Sequence, residues 1–259
     1  MRYAKSALKK RPARAKRVYR KRAPRASKTL VKTIQSVIHR NTENKQSWLT
    51  YPLASFNSAA DASSDILNCL PPTQQGTAEN QRIGDDIRAQ KLTIQGHMIG
   101  LLSGSYTRIG VRMLICQPKL TTSNTLVNAT AAQWLPNVLR IGGSNMGLNG
   151  TIESLYAPVD TDVVTCYYDK VFYISQPTIF TTVGAAETTH TTKFFKVNLK
   201  MKNKLLKYNS GFSSGNYPIN YSPSILFSYV FLNGAAPVSG LDFNQMSFTF
   251  TSLLEYEDA

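Results

Sequence analysis

Residues 91–99 read KLTIQGHMI, and their side chains alternate between apolar and polar. Leu92, Ile94 and Met98 would point to one side of an extended chain, and the polar residues between them would point to the other. A period of two residues is typical of a β-strand that buries one face. The segment therefore predicts a half-buried strand.

The same alternation returns in four more segments, and together they indicate an all-β protein. Residues 109–115 place Ile109, Val111, Met113 and Ile115 on one face, residues 195–202 alternate apolar side chains with three lysines and Asn198, and residues 248–256 alternate again. In 164–174 the pattern puts Val164, Cys166, Tyr168, Phe172 and Ile174 together, with Asp169 opposite. Residues 224–232, SILFSYVFL, are apolar on both faces and predict a central, fully covered strand.

Long polar connections and the absence of a βαβ rhythm favour a β-sandwich or a jelly roll. The connections 117–130, 142–150 and 208–223 are rich in Asn, Ser, Gly, Thr and Pro and predict loops. No run of eighteen apolar residues occurs, so the sequence predicts neither a transmembrane span nor a stable membrane association. The prediction is a single domain over residues 43–259.

The charge of the chain is concentrated at one end. The chain has 30 Lys and Arg against 15 Asp and Glu; fifteen of the basic residues and none of the acidic ones lie in residues 1–40. The other residues therefore hold fifteen charges of each sign and are neutral. Such a block of like charge predicts a disordered arm, residues 1–42, that binds a polyanion and releases its counterions. The predicted nucleic-acid-binding residues of the arm are Lys9, Lys10, Arg11, Arg14, Lys16, Arg17, Arg20, Lys21, Arg22 and Arg25.

A basic arm can also serve as a targeting signal. A secretory signal is excluded because no apolar stretch follows the charges, and Pro12 and Pro24 disfavour a helical transit peptide. A nuclear-localisation signal is compatible with nucleic-acid binding, and its candidate residues are Lys9, Lys10, Arg11, Arg20, Lys21 and Arg22. Apolar residues at helical spacing predict a helix over 28–40, either a docked link or, less favoured, an amphipathic membrane-surface helix.

A second basic segment follows the arm, in residues 193–207. Lys196, Lys200 and Lys202 would share one face of a strand. They either protect an edge strand from aggregation or form a basic wall for the polyanion that the arm binds. Tyr208, and Tyr167, Tyr168 and Tyr173 elsewhere, are candidate rings for stacking on exposed bases.

Signals for catalysis and for metal binding are weak. The three histidines lack metal or haem spacing, no GxSxG elbow occurs, and residues 142–150, GGSNMGLNG, lack the GK[ST] ending of a phosphate loop and predict a flexible surface loop. The chain is predicted not to be an enzyme and to need no cofactor, although a spatial Ser-His-Asp triad is left open. Cys69, Cys116 and Cys166 lack pairing motifs and predict reduced thiols. The weak candidates for a cation site are Asp85, Asp86, Asp160 and Asp162.

Three stretches resemble the capsid proteins of circovirus-like viruses, whose circular single-stranded DNA encodes a replication initiator (CRESS-DNA viruses). Residues 82–96, RIGDDIRAQKLTIQG, look like the RIG-D/N-x-I lead-in to the first jelly-roll strand. Residues 163–176 resemble the aromatic strand in mid-chain, and residues 248–259 resemble the closing strand with its acidic end.

The resemblance implies a single eight-stranded jelly roll that assembles with itself into a T=1 icosahedral shell of sixty copies. It also implies that the arm lies inside against packaged single-stranded nucleic acid, with DNA favoured over RNA. The expected locations are the virion and, with a host import receptor as partner, the host nucleus. The alternatives are a capsid protein of a small RNA or satellite virus, a non-viral nucleic-acid-binding β-sandwich, and a hydrolase or lectin-like protein with a targeting arm.

Overall fold

The structure is a computed structural model, and it describes residues 27, 29–30, 33, 44–102, 108–175, 189–209, 216–232 and 246–258. The chain divides into two units, Met1–Asn41 and Thr42–Ala259. In the first unit Thr29, Leu30 and Thr33 have helical backbone. The Leu30 N–H donates a hydrogen bond to the Ser27 hydroxyl at 3.1 Å, as at the start of a helix. The remainder of the helix expected over 28–40 lies outside the described residues.

Antiparallel strands make up most of the second unit. The strands are β1 (Asn44–Phe56), β2 (Leu67–Asn68), β3 (Asp86–Leu102), β4 (Arg108–Pro118), β5 (Leu139–Ile141), β6 (Ser144–Met146), β7 (Val164–Ser175), β8 (Thr189–Lys207), β9 (Ser224–Phe231) and β10 (Met246–Asp258). Short helices lie between them: α1 (Asn124–Ala129), α2 (Ala131–Trp134) and α3 (Glu153–Tyr156), with 3-10 turns at Ser63–Asp65 and Leu135–Asn137. The expectation of an all-β protein is confirmed. Within the described residues, no helix is both long enough and apolar enough to cross a membrane.

Two four-stranded sheets form a sandwich. The first sheet has the order β1-β10-β3-β8, and the second has the order β2-β9-β4-β7. Most consecutive strands therefore change sheets, and the first and last strands of the unit lie side by side. Leaving aside the β5–β6 hairpin, this connectivity is that of a jelly roll.

The main core lies between the two sheets. The inward faces expected for 91–99, 109–115, 195–201 and 248–256 all contribute to it, and their predictions are confirmed. Phe227 on β9 and Phe248 on β10 bring the sheets together with ring centroids 4.9 Å apart. β9 is buried along its whole length, as its two-sided apolar sequence predicts.

The face expected for 164–174 is confirmed for Tyr168, Phe172 and Ile174 and is wrong for Val164 and Cys166, because β7 contains a bulge. Ile115 pairs with Tyr168 and Cys116 pairs with Cys166, so Tyr167 has no counterpart on β4. An extra residue reverses the alternation on either side of it. Phe172 and Ile174 consequently enter the core between the sheets, whereas Val164 and the half-buried Cys166 pack into a separate cluster on the other side.

That separate cluster covers the outer face of the second sheet. Trp134 is its largest side chain, and Leu114, Cys116 and Leu226 of the sheet pack in it. The segments expected as loops therefore contain regular structure: 117–130 holds α1. In 142–150, Gly142 and Gly143 (φ +57° and +92°) form the two-residue turn of the β5–β6 hairpin, where both positions require the left-handed region. The loop prediction for these segments is wrong to that extent.

Candidate nucleic-acid interface

The outer face of the first sheet is polar and accessible, and we call it the open face. It consists of the outward side chains of β1, β10, β3 and β8. Its outward direction follows from the register: Trp48 pairs with Leu253, Leu253 with Thr93 and Thr93 with Asn198, while the neighbouring residues on each strand face the core. The second sheet has a covered outer face, so the sandwich is asymmetric.

Lys196 and Lys200 lie on the open face, both exposed to solvent. Lys196 pairs with Gln95, and Lys200 pairs directly with Lys91 on β3. Two lysines opposite each other repel. Lys91 Nζ lies 3.3 Å from a carboxylate oxygen of Glu255 on β10, and this pair offsets part of that repulsion.

Lys202 departs from the regular alternation of β8. Its φ is +51°, and Asn203 beside it has φ +58°. The register jumps here, from Lys91 paired with Lys200 to Ala89 paired with Lys204. The side chain of Lys202 is exposed, but the bulge interrupts the face that the sequence predicts it to share with Lys196 and Lys200.

β8 is an edge strand of the first sheet. The position is consistent with both interpretations of the lysines, because an exposed edge needs protection and also offers access to a long ligand. Lys204 does not belong to the group of exposed lysines formed by Lys196 and Lys200. Its Nζ lies 3.5 Å from the centre of the Tyr221 ring, and burial lowers its pKa.

The tyrosines proposed for base stacking do not lie together on the open face. Tyr208 is buried with the Arg82 guanidinium 4.5 Å from its ring centre, and burial raises its pKa to about 12. Tyr167 packs edge-on against Tyr221 at 5.8 Å. Tyr173 is exposed, but it pairs with Gly110 and so faces outward from the second sheet.

Two other large rings are exposed on the open face. Trp48 on β1 is 59% exposed and Phe194 on β8 is 78% exposed. Phe194 lies beside His97, with ring centroids 5.7 Å apart and planes tilted by 53°. A signal for Phe194 was present in the sequence, because alternation forces one of two consecutive phenylalanines, Phe194 and Phe195, to point outward.

A shallow depression of about 390 Å³ lies beside the Phe194–His97 pair. Its wall includes Gln95, His97, Phe194, Lys196 and Thr251. Gly96 also lines the depression, and β3 and β10 lie close together there: a Cβ at Gly96 would lie 2.1 Å from the Thr249 carbonyl oxygen. The depression therefore joins an aromatic pair, an amide and an ammonium group on one surface.

The carboxylates considered for a cation site have neighbours of their own. Asp160 is buried and accepts a hydrogen bond from the Asp162 N–H at 2.8 Å, while the exposed Asp162 side chain lies 3.8 Å from Arg140. Asp85 lies 3.3 Å from Arg82. Asp86 begins β3 opposite Lys207. Across the described part of the chain, no three His, Cys, Asp or Glu side chains are grouped as metal ligands would be.

The basic residues of the arm, from Lys9 to Arg25, lie outside the described residues. Their nucleic-acid-binding and nuclear-localisation roles stay predictions. The cysteines are free thiols, with Cys69 and Cys116 buried and Cys166 half-buried.

Comparison with known proteins gives no family for this chain. No protein-family model matches it, and no curated protein does. Among solved structures, a chain described as "KBV activated particle at acidic pH" is similar at 13% identity, with a TM-score of 0.32 over 97% of this chain and 80% of that one. A chain of the T13 IBDV viral particle is similar at 10% identity, with a TM-score of 0.19 over 84% of this chain and 40% of that one.

Proposed function

We propose that this chain is the capsid subunit of a small virus and that its basic arm holds the packaged nucleic acid. The observation that carries the proposal is the division of charge: a net charge of +15 resides in residues 1–40, beside a neutral domain with jelly-roll connectivity. A jelly roll is the common sandwich of viral capsid and lectin domains. The polybasic arm favours the capsid among these.

The magnitude of the arm's charge fits packaging. An arm of fifteen positive charges on a single molecule would contact only a short stretch of nucleic acid. In a shell of sixty copies, about 900 positive charges would face the interior and neutralise on the order of a thousand phosphates. The binding is independent of sequence, because phosphate contacts position a ligand and carry no base information.

The finer assignment is a T=1 shell of a circovirus-like virus that packages circular single-stranded DNA. It is supported by the order along the chain of the three stretches that resemble that family, residues 82–96, 163–176 and 248–259. The expected lead-in to the first jelly-roll strand is wrong in one respect, because residues 82–96 lead into β3, and β1 and β2 precede it. The arm then also serves as the nuclear import signal, and the chain resides in the virion and in the host nucleus. The proposal gives the chain no catalytic role.

A non-viral nucleic-acid-binding protein is the second candidate, because the open face alone could serve it. The two differ in self-association. A capsid subunit forms discrete shells, whereas a binding module stays a monomer or dimer whose affinity falls steeply with salt.

Electron microscopy of the purified full chain, with the absorbance ratio at 260 and 280 nm on the same fraction, tests the proposal. We expect uniform round particles that contain nucleic acid. A variant lacking residues 1–40 should keep its far-ultraviolet circular dichroism and lose most of the nucleic acid. A matched variant that keeps the arm's length but changes its ten lysines and arginines between Lys9 and Arg25 to Gln separates charge from length. Particles with unchanged nucleic-acid content in both variants would contradict the role of the arm, and small isolated molecules under all conditions would contradict the capsid.

A further inference from the structure

We propose that the open face binds the bases of single-stranded nucleic acid, which stack on Trp48 and on the Phe194–His97 pair while Lys196 and Lys200 contact the phosphates. The inference rests on the proposed function and adds to it a second, structured site. The arm would gather the strand, and the sheet would hold part of it in a fixed position.

The exposure of the two large rings is the first observation. Trp48 and Phe194 stand on opposite edge strands of the first sheet, β1 and β8, and their strand neighbours are mostly polar. Other aromatic rings of this sheet, those of Phe195, Phe248 and Phe250, are buried in the core between the sheets. An exposed ring on this face does not belong to the core between the sheets, but it offers a π-face to a base, and stacking is worth about 1–3 kcal/mol per base.

The spacing of the lysines is the second observation. Lys196 follows Phe194 by two residues on the same face, so their backbones are about 7 Å apart along the strand. Lys200 lies further along the same face. The acidic Glu255 of this face is engaged by Lys91 at 3.3 Å, which leaves Lys196 and Lys200 as exposed positive charges on the same face as the rings.

The chemistry of the face favours a polyanion over a protein partner. The cores of protein–protein interfaces are depleted in lysine, and a second copy of this chain would bring the same lysines into contact with themselves. A ligand that presents both flat rings and repeated negative charges satisfies the aromatic and the basic groups together. Single-stranded nucleic acid has that combination, whereas a duplex hides its base faces.

The two tryptophans of the chain make a direct test possible. Trp48 is exposed, whereas Trp134 is 1% exposed and donates its indole N–H to the Val127 carbonyl at 3.2 Å. A base that stacks on Trp48 quenches its fluorescence and leaves that of Trp134 unchanged. The full chain is therefore titrated with a dye-labelled oligothymidylate, and dye polarisation and tryptophan emission are recorded together.

Binding is expected to raise the polarisation and to quench the exposed tryptophan. The Trp48→Phe variant should lose the quenching. Phe194→Leu should weaken binding at fixed salt by about 5-fold to 150-fold, the equivalent of one lost stack. Tyr173→Leu removes a ring that is also exposed, from the outer face of the second sheet, and should leave the affinity unchanged.

Inorganic polyphosphate separates stacking from charge, since it is a polyanion without bases. Oligothymidylate that binds without quenching Trp48 would overturn the inference while leaving the arm's role intact. Equal quenching by polyphosphate, or quenching on assembly without any polyanion, would overturn it as well. Absence of any polarisation change would overturn the proposed nucleic-acid role itself, so the two failures are distinguishable.

Discussion

The guanidinium of Arg112 and the carboxylate of Asp169 form a two-point ion pair between β4 and β7. Nε donates to one carboxylate oxygen at 2.9 Å, and Nη2 donates to the other at 2.6 Å. The remaining nitrogen, Nη1, donates to the carbonyl oxygens of Ser154 and Ala157, both at 2.7 Å. Arg112 is buried, and through these bonds it fixes α3 on the outer face of the second sheet.

Replacing Arg112 by Met should destabilise the domain by about 1–3 kcal/mol, because the buried carbonyl oxygens of Ser154 and Ala157 lose their charged donor, whereas the Asp169 carboxylate is 35% exposed and stays solvated. Methionine fills the space of the aliphatic stem, so packing is largely kept and the loss reports on the polar contacts. Urea denaturation followed by circular dichroism measures the change. Arg140→Met is the matched control: its pair with Asp162 is exposed at 3.8 Å and should be worth less than about 1 kcal/mol. Equal midpoints for the two variants would show that the Arg112 contacts do not stabilise the fold.

Gly96→Ala should destabilise the first sheet at the upper end of the range for overpacking, about 1–3 kcal/mol. The added Cβ would lie 2.1 Å from the Thr249 carbonyl oxygen and 2.7 Å from Phe250 Cα, and neither backbone atom can move without separating β3 from β10. Gly84→Ala is the control, because its Cβ would meet nothing nearer than 3.9 Å. Thermal unfolding of both variants distinguishes a local clash from a general effect of losing glycine; an unchanged midpoint for Gly96→Ala would mean that the two strands are further apart than described.

The thiols should react in an order set by burial. Burial raises the pKa of all three, and it does so most strongly for the fully buried Cys69 and Cys116. A thiol reagent such as DTNB needs the thiolate. In the native protein at neutral pH we expect at most one thiol, Cys166, to react, and its rate should rise with pH; all three should react in denaturant. The Cys166→Ser variant checks the assignment, because its native form should no longer react. Rapid modification of Cys69 or Cys116 in that variant would contradict the assignment.

Much of the sandwich could be predicted from the sequence, because a strand that buries one face has apolar residues at every second position. β3, β8 and β10 keep this two-residue period over residues 92–98, 195–201 and 248–254, and their inward faces are as expected. The prediction for the first residues of β7 is wrong for a physical reason. The bulge at Tyr167 adds one residue to one strand only, and nothing in the local sequence of residues 164–171, VTCYYDKV, predicts it.

The candidate site was less accessible to sequence reasoning. Lys196 and Lys200 could be predicted because charged residues are recognised directly in a sequence. The aromatic residues that form a candidate site with them come largely from other strands. Trp48 and His97 reach the same face only through the pairing of β1 with β10, β10 with β3 and β3 with β8. Tyr208 directly follows a run of exposed lysines, and for this reason it was a candidate for stacking, whereas its ring is buried against the Arg82 guanidinium.

Changing Lys196 and Lys200 together to Gln should weaken binding of single-stranded nucleic acid mainly at low salt. Each phosphate contact contributes about 0.7 to the slope of the logarithm of affinity against the logarithm of salt concentration for a single strand, so two contacts should lower the slope by about 1.4. Titrations of the full chain at several salt concentrations measure it. Lys119→Gln with Lys170→Gln removes exposed lysines near the second sheet and should change the slope little. Equal slopes for the two variants would mean that the lysines of β8 serve to protect the sheet edge, and that the arm alone meets the phosphates.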